Sequence, residues 1–180
     1  MDLSGKTIVI IGGAGLLGSA FARACAAAGA RVTIADKNAK KGQVLANEIS
    51  ASWYEVDVGD YASMIALAEQ LGHVDGVVNA AYPKTEKFGT PFEKGDIADM
   101  LAKLDLHGGA CRSSAKGLPA VMKKGGSIVF LGSIYGTHAP RPEMYEGTAM
   151  IGIPPEYTAE KAGIIALARH FAKVFGAHGI

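Results

Sequence analysis

The chain alternates short apolar runs with longer segments in which apolar residues recur every three or four positions. Runs of branched aliphatic residues predict strands buried on both faces, and the wider spacing predicts amphipathic helices. The first run, Ile8–Ile11, leads through a glycine-dense turn, Gly12–Gly18, into the alanine-rich segment Ser19–Ala28. That segment contains good helix formers and no proline or glycine, so it predicts a helix. The first unit is therefore strand, glycine turn, helix.

The same patterns predict four more strands and four more helices. The strands are Arg31–Ala35, Ser52–Val56, Gly76–Asn79 and Ser127–Leu131. The helices are Asn38–Ser50, a segment from its N-cap Asp60 to Leu71, Ile97–Met122, and Glu156–Phe175. In the Asn38–Ser50 helix we expect Val44, Leu45 and Ile49 to form the buried face. Two long loops, from Tyr82 to Lys94 and from Gly132 to Pro155, complete the prediction.

Strands that alternate with helices over short connections pair in parallel through right-handed crossovers. The predicted fold is therefore α/β, a doubly wound parallel sheet of the Rossmann type, with residues 1–180 forming a single domain. Such sheets bind ligands beyond the carboxyl ends of their strands. The segments expected to meet at that edge are Gly12–Gly18, Asp36, Asp57, Asn79–Ala81 and Gly132–Ser133.

Composition narrows the function classes. Of 180 residues, 49% are hydrophobic and 19% charged, with a net charge of +1, so no basic face is available for nucleic acid. No apolar run is long enough to span a membrane, and the N-terminus lacks a signal-peptide pattern. Cys25 and Cys111 have no ligand spacing, and neither do the histidines, so we assign no metal and expect a cytoplasmic protein.

The glycine turn predicts an anion site, because the first N–H groups of a helix and its dipole favour a phosphate there. The strand before it and the helix after it favour dinucleotide binding over a turn that only reverses the chain. Asp36 ends the second strand, where a carboxylate accepts hydrogen bonds from ribose hydroxyls and repels a 2′-phosphate. The predicted cofactor is therefore NAD. A helix-capping role for Asp36 remains the alternative.

Tyr157 and Lys161 are four residues apart on a predicted helix, so they share one face. A free phenol titrates near pH 10, and lowering its pKa by two to three units requires ~3–4 kcal/mol of preferential phenolate stabilisation. A nearby cation in a partly desolvated crevice supplies stabilisation of this kind. Ser133, after the fifth strand, could hold a substrate oxygen during proton transfer.

Taken together, the glycine turn, Asn79-Ala80-Ala81, Gly132-Ser133 and Tyr157-x-x-x-Lys161 resemble the short-chain dehydrogenase/reductase family along the whole chain. The resemblance implies that Tyr157 is the acid/base, that Lys161 binds the nicotinamide ribose, and that Ser133 orients the substrate. It also implies two sets of cofactor-binding residues. Gly12, Gly15, Leu17 and Gly18 would hold the pyrophosphate and Asp36 the ribose, while Asp57, Val58, Asn79, Ala80 and Ala81 would surround the rest.

Three departures from the family pattern qualify this picture. The glycine spacing, Gly12-x-x-Gly15-x-x-Gly18, is similar to that of sugar-nucleotide epimerases and dehydratases of the same family. The gap from Ser133 to Tyr157 is longer than in most members, but Tyr145 lacks a lysine four residues on and is rejected as the acid/base. Asp105 aligns with the helix asparagine of the family's proton relay.

The widened loop, with Ala139-Pro140-Arg141-Pro142, is similar to members that modify flagellin or surface polysaccharides. The resemblance implies an NAD-dependent oxidoreductase acting on a secondary alcohol or ketone of a sugar or sugar-nucleotide-like substrate, as a homodimer or homotetramer. Two alternatives stay open, an epimerase or dehydratase with retained NAD and a non-catalytic dinucleotide-binding module. The sequence ends where the family begins its sixth strand, so we expect the last strands of the fold to be missing.

Overall fold

Five parallel strands form one sheet in the order β3-β2-β1-β4-β5. The computed structural model describes residues 2–87, 90, 92–148 and 153–180, so parts of both predicted long loops lie outside the described residues. The strands are β1 (Thr7–Ile11), β2 (Arg31–Asp36), β3 (Ser52–Glu55), β4 (Val74–Asn79) and β5 (Met122–Phe130). The helices are α1 (Leu16–Ala27), α2 (Ala39–Ile49), α3 (Tyr61–Gln70), α4 (Ile97–Gly117) and α5 (Pro155–Gly176). The α/β doubly wound prediction is confirmed.

Two hydrophobic clusters cover the two faces of the sheet. One joins the inner strands to α1 and α2 through residues such as Ile10, Ala22 and Leu45. The other joins them to α3 and α4 through residues such as Val9 and Leu67. Helix α5 packs chiefly against α4. Central strands buried on both faces explain why β1 consists almost entirely of branched aliphatic residues.

The buried face of α2 differs from the prediction. Val44 is 63% exposed, whereas Leu45 and Ala46 are buried. Gly42 also faces the sheet, where a Cβ would come within 2.0 Å of the Trp53 ring. The large Trp53 ring on β3 therefore decides which face of α2 turns toward the sheet. The spacing of apolar residues alone does not predict this face.

The segment between α4 and β5 also differs. The predicted helix extended to Met122, but α4 ends at Gly117 and a short 3-10 turn, Leu118–Val121, follows. Pro119 lies in that turn and lacks the N–H that a continuing helix needs. Strand β5 begins at Met122 rather than Ser127 and carries an irregularity in its pairing with β4, near Gly125 at φ +90°.

Helix α1 begins earlier than predicted, at Leu16 rather than Ser19. Gly18 therefore lies within the first turn of the helix rather than in the loop before it. Within the described residues, no helix is long and apolar enough to cross a membrane.

Candidate active site

A cavity of about 530 Å³ lies beyond the carboxyl ends of the strands, and residues at or just after the end of each strand line it. Gly12 follows β1, Asp36 ends β2, and Gly132 lies just beyond β5. The remaining lining residues are Gly15, Leu16, Leu17, Lys37, Val56, Asp57, Val58, Ala80, Ala81, Tyr82, Pro83, Lys84, Leu131, Tyr157 and Lys161. The predicted convergence at one edge of the sheet is therefore present.

The floor of the cavity depends on two glycines. Gly12 has φ +71°, and a Cβ there would come within 2.6 Å of the Ala81 backbone. At Gly18 a Cβ would come within 2.1 Å of the Gly12 carbonyl oxygen. Gly18 does not line the cavity, so its contribution is the close approach of α1 to the turn. A side chain at Gly12 would fill space between the turn and the end of β4.

The start of α1 differs from those of α2, α3 and α4. Those three helices are capped by the side chains of Asn38, Asp60 and Asp96, each of which accepts a hydrogen bond from a backbone N–H. Helix α1 has Gly15 at its N-cap and no side-chain cap. Because the first N–H groups of a helix have no acceptor within it, the start of α1 can bind an anion in the cavity.

Asp36 lies where the adenosine ribose of the cofactor is expected, but both oxygens of its carboxylate accept hydrogen bonds from the protein backbone. Oδ2 accepts from the Ala14 N–H at 2.9 Å, and Oδ1 accepts from the Asn38 N–H at 2.9 Å. Lys37 and Lys41 lie beside it around an adjoining recess. The carboxylate thus fixes the glycine turn against the end of β2 while one side of it still lines the cavity.

Asn79 supports the wall of the cavity from behind, whereas Asp57 lines the cavity. Asn79 is buried and absent from the lining, and its Nδ2 donates to Ser114 Oγ at 3.0 Å. Its Oδ1 accepts from the Ala81 N–H at 3.2 Å. Asp57 Oδ1 accepts from the Gly59 N–H at 2.9 Å. Asn79 therefore supports the cofactor wall indirectly, by fixing Ala81 to α4.

Tyr157 and Lys161 both line the cavity from α5. Lys161 is 7% exposed, and its Nζ donates to the Leu131 carbonyl oxygen at 2.8 Å. The ammonium lies 5.7 Å from the centre of the Tyr157 ring and 5.3 Å from that of Tyr82. Burial lowers the pKa of Lys161, against the attraction of Glu160. A partly desolvated cation therefore stands next to a phenol at the cavity wall.

Ser133 lies next to the cavity rather than in its lining. The residue caps the 3-10 turn Ile134–Gly136, and its Oγ accepts from the Tyr135 N–H at 3.2 Å. Gly132, immediately before it, does line the cavity. The structure thus places Ser133 beside the cavity lining, with one hydroxyl lone pair used within the turn.

Tyr145, the rejected alternative acid/base, has a different environment. Its hydroxyl donates to the Tyr135 hydroxyl at 3.0 Å, and it does not line the cavity. That hydrogen bond, with some desolvation, raises the pKa of Tyr145 to about 12. A higher pKa opposes proton abstraction near neutrality, which favours Tyr157 as the acid/base.

Asp105 lies on the exposed face of α4 and outside the cavity lining, so the structure does not bring it together with Tyr157 and Lys161. Two residues later, His107 is 3% exposed and faces the site. Its ring centre lies 4.6 Å from that of Tyr82, and its Nε2 lies 3.5 Å from Glu160 Oε2. A helix turns by 100° per residue, so side chains two positions apart lie on opposite sides of α4.

Sequence reasoning therefore missed three residues around Tyr157 and Lys161, namely the partly buried Tyr82 and the buried His107 and Glu160. The tilted contact of Tyr82 with His107 and its edge contact with Tyr157, at 6.0 Å, join the loop after β4 to both helices. Desolvation and the nearby Glu160 raise the pKa of Tyr82, which keeps that phenol protonated. The available signal was the position of Tyr82 directly after Asn79-Ala80-Ala81. Among the described residues, no cluster of His, Cys, Asp or Glu could hold a metal ion.

A doubly wound sheet with a glycine turn, an uncapped helix start and a buried lysine beside a tyrosine defines a class of dinucleotide-dependent oxidoreductases. The short chain dehydrogenase family model matches residues 6–180. The protein belongs to the short-chain dehydrogenase/reductase family and is an oxidoreductase of that type.

Two curated relatives illustrate the range of the family. A 2,5-dichloro-2,5-cyclohexadiene-1,4-diol dehydrogenase of Sphingobium indicum is 30% identical over 99% of this chain and 70% of its own length. Post-translational flagellin modification protein A of Campylobacter coli is 28% identical over 95% of this chain and 72% of its own length. Both are longer than the sequence described.

The fold also matches solved structures of the family. A short chain dehydrogenase from Burkholderia cenocepacia, crystallised in complex with NADP, has a TM-score of 0.84 and 25% sequence identity. The match covers 100% of this chain and 72% of that chain. Membership of the family therefore indicates a nicotinamide dinucleotide cofactor, but it does not decide between NAD and NADP.

Proposed function

We propose that the protein transfers hydride between NAD and a secondary alcohol or ketone, with Tyr157 as the acid/base. The observation that carries this proposal is the pair of Tyr157 and Lys161 in the wall of the cavity that contains the glycine turn. Gly12, Gly15 and Leu17 would hold the pyrophosphate, while Asp57, Val58, Ala80 and Ala81 would surround the rest of the dinucleotide. The bound nicotinamide supplies hydride transfer to or from the carbinol carbon.

The protein's own residues supply the proton chemistry. Tyr157 takes the hydroxyl proton of the alcohol during oxidation and returns it during reduction. Lys161 favours the phenolate form of Tyr157, because its partly desolvated ammonium lies 5.7 Å from the centre of the Tyr157 ring. A hydrogen bond to the Leu131 carbonyl oxygen holds the ammonium in this position. Asn79 and Gly18 act by fixing the walls, and Ser133 is assigned to orient the substrate oxygen from the rim.

For the substrate, we propose a sugar or sugar-nucleotide-like alcohol, as in flagellin or surface-glycan modification. Support comes from the flagellin modification relative and from Lys84, a cation in the cavity lining. We also propose a cytoplasmic enzyme that associates as a homodimer or homotetramer through α4 and α5. Exposed apolar side chains on these helices, Leu101 and Val174, support that assembly.

Replacing Tyr157 with phenylalanine tests the central role. We expect Tyr157→Phe to lower turnover of alcohols at least about 100-fold, the usual scale of general acid/base catalysis, and to spare NADH binding. Turnover on a panel of sugar alcohols, with NADH fluorescence titration as the binding readout, measures both. Tyr145→Phe is the matched control and should leave the acid/base step in place. Comparable activity in Tyr157→Phe would place the acid/base elsewhere.

A second candidate is an epimerase or dehydratase that retains its NAD. The Gly12-x-x-Gly15-x-x-Gly18 spacing favours it. Cofactor that remains bound after purification, together with sugar-nucleotide conversion without net NADH formation, would support this reading. Tight NADH binding with no turnover, unchanged in Tyr157→Phe, would instead indicate a non-catalytic dinucleotide-binding module.

A further inference from the structure

A buried carboxyl group and a buried imidazole face each other between α4 and α5, and the proposed reaction uses neither. The Glu160 side chain is 1% exposed and that of His107 is 4% exposed. Glu160 Oε2 lies 3.5 Å from His107 Nε2 and has no hydrogen-bond partner among the described residues. A carboxylate buried without a donor is destabilising, so the geometry calls for a proton between these two atoms.

The surroundings decide which atom carries that proton. Burial raises the pKa of Glu160 to about 7, and Glu156 adds to this while Lys161 and Lys103 oppose it. Burial and the charge of Lys161 lower the pKa of His107 to about 4, against a hydrogen bond to the Pro83 backbone. Between about pH 4 and pH 7, the favoured form is therefore a neutral Glu160 carboxylic acid facing a neutral His107 imidazole.

The two lysines near the pair have partners of their own. Lys103 Nζ binds Asp99 at 2.7 Å and Glu156 at 2.6 Å, so it does not serve as the counter-ion of Glu160. Lys161, next to Glu160 on α5, donates to Leu131 instead. The remaining titratable neighbours are Tyr82, Tyr157 and Cys111.

We propose that Glu160 and His107 hold one proton between them across the α4–α5 contact, and that its loss weakens the support of Lys161 for a Tyr157 phenolate. A carboxylate formed next to Lys161 offsets the charge of that ammonium and repels a phenolate. Glu160 and His107 are thus positioning residues that act on Tyr157 through Lys161. The second half of this proposal rests on the proposed function, whereas the shared proton does not.

Stability measured against pH tests the shared proton. Between the ordinary pKa values of 4.5 for Glu and 6.5 for His, the unfolded chain carries one proton on His107 and the folded chain carries one on Glu160. Because both states bind one proton, the pair contributes no pH dependence in this range. The two single variants should therefore depart from the wild type in opposite directions.

Glu160→Gln leaves a buried histidine of lowered pKa, whose stabilising contribution is present above 6.5 and is lost as the pH falls toward 4. His107→Gln leaves a carboxyl of raised pKa, whose contribution is present below 4.5 and is lost as the pH rises through 7. Urea unfolding across this range measures both slopes. If the free energy of unfolding of both variants had the same pH dependence as that of the wild type, the proposal of a shared proton would be wrong. If a variant does not fold, infrared spectra of the wild type decide, because a protonated carboxyl band must disappear as the pH passes neutrality.

Ultraviolet titration of tyrosinate tests the effect on Tyr157, with Tyr157→Phe used to identify its signal. We expect Tyr157 to ionise at a lower pH in Glu160→Gln than in the wild type. The matched control, Glu143→Gln, removes an exposed carboxylate outside the cavity and should leave the midpoint unchanged. An unchanged midpoint in Glu160→Gln would overturn the link to Tyr157. This readout needs no turnover, so an inactive enzyme would refute the proposed function without deciding this inference.

Discussion

At the scale of single residues, Gly18 allows helix α1 to approach the glycine turn closely. A Cβ there would come within 2.1 Å of a backbone oxygen, which cannot move aside as a flexible side chain can. We expect Gly18→Ala to lower the free energy of unfolding by ~1–3 kcal/mol, the usual cost of overpacking, and to weaken NADH binding. Urea unfolding and fluorescence titration measure the two effects.

Gly163→Ala is the matched control, since Gly163 is an exposed glycine of α5 whose Cβ would meet nothing within 4 Å. This variant should raise the free energy of unfolding by about 0.5–1 kcal/mol, because alanine loses less conformational freedom in a helix. Equal effects of the two substitutions would refute the packing argument for Gly18.

Asp36 carries the prediction on cofactor choice. Its negative charge at the end of β2 repels a 2′-phosphate, although Lys37 and Lys41 line the same recess. We expect NADH to bind more tightly than NADPH, and Asp36→Asn to reduce that preference about 10-fold, which corresponds to ~1.4 kcal/mol of lost repulsion. Fluorescence titration with both dinucleotides gives the ratio. Equal affinities in the wild type would contradict the NAD assignment.

Single residues also mark where sequence reasoning succeeded and where it stopped. Gly12, Tyr157 and Lys161 were predicted from local order, either strand, turn and helix or a four-residue spacing, and the structure places all three in the cavity lining. The predicted site includes Asp105 and contains neither His107 nor Glu160. Their roles depend on how α4 faces α5, and that contact joins residues about 53 positions apart along the chain, as between Lys103 and Glu156.

At the scale of elements, a buried ion triad holds the start of α5 against α4. Lys103 binds Asp99 within its own helix and Glu156 at the first turn of α5, next to Tyr157. Removal of the central cation leaves the Asp99 and Glu156 carboxylates, which are 8% and 14% exposed, without their shared partner. We therefore expect Lys103→Met to lower the urea midpoint and to reduce turnover through displacement of Tyr157.

Lys87→Met provides the comparison, because Lys87 forms an ion pair with Asp96 in which its side chain is 60% exposed. Exposed pairs contribute little to stability, so its urea midpoint should stay close to that of the wild type. Similar midpoints for Lys103→Met and Lys87→Met would show that the triad does not hold α5 in place.

Element boundaries followed the sequence where a local signal exists. Asp60 caps α3 as predicted, with its side chain accepting from the Ala62 N–H. The end of α4 and the start of β5 differ from the prediction, because a short 3-10 turn replaces the last part of the predicted helix. Pairing with β4 instead extends the strand back to Met122. Strand length here depends on a neighbour that the local sequence does not specify.

At the scale of the whole molecule, β5 stands at one edge of the sheet. No other strand of the described residues pairs with its outer side, and Val129 near its end is 45% exposed. Lys123 and Lys124 protect the first half of the strand from pairing with another chain, but the second half carries no charge. We expect this polypeptide to self-associate as its concentration rises.

Val129→Lys should reduce that association, since a charge at an open edge opposes strand pairing. Val44→Lys, on the exposed face of α2, adds the same charge at a distant site and should have no effect. Sedimentation velocity over a range of concentrations measures both variants. Equal association in the wild type and both variants would show that the β5 edge is not responsible.

The contact between Gly12 and Ala81 has a consequence for the speed of ligand capture. The Gly12 N–H donates to the Ala35 carbonyl oxygen at 2.7 Å, and the Ala80 N–H donates to that of Ile11 at 2.8 Å. These backbone hydrogen bonds join the ends of β1, β2 and β4 without any contribution from a ligand. A dinucleotide meets a surface that needs no ordering, so diffusion and orientation set its rate of association rather than a slow rearrangement of the protein.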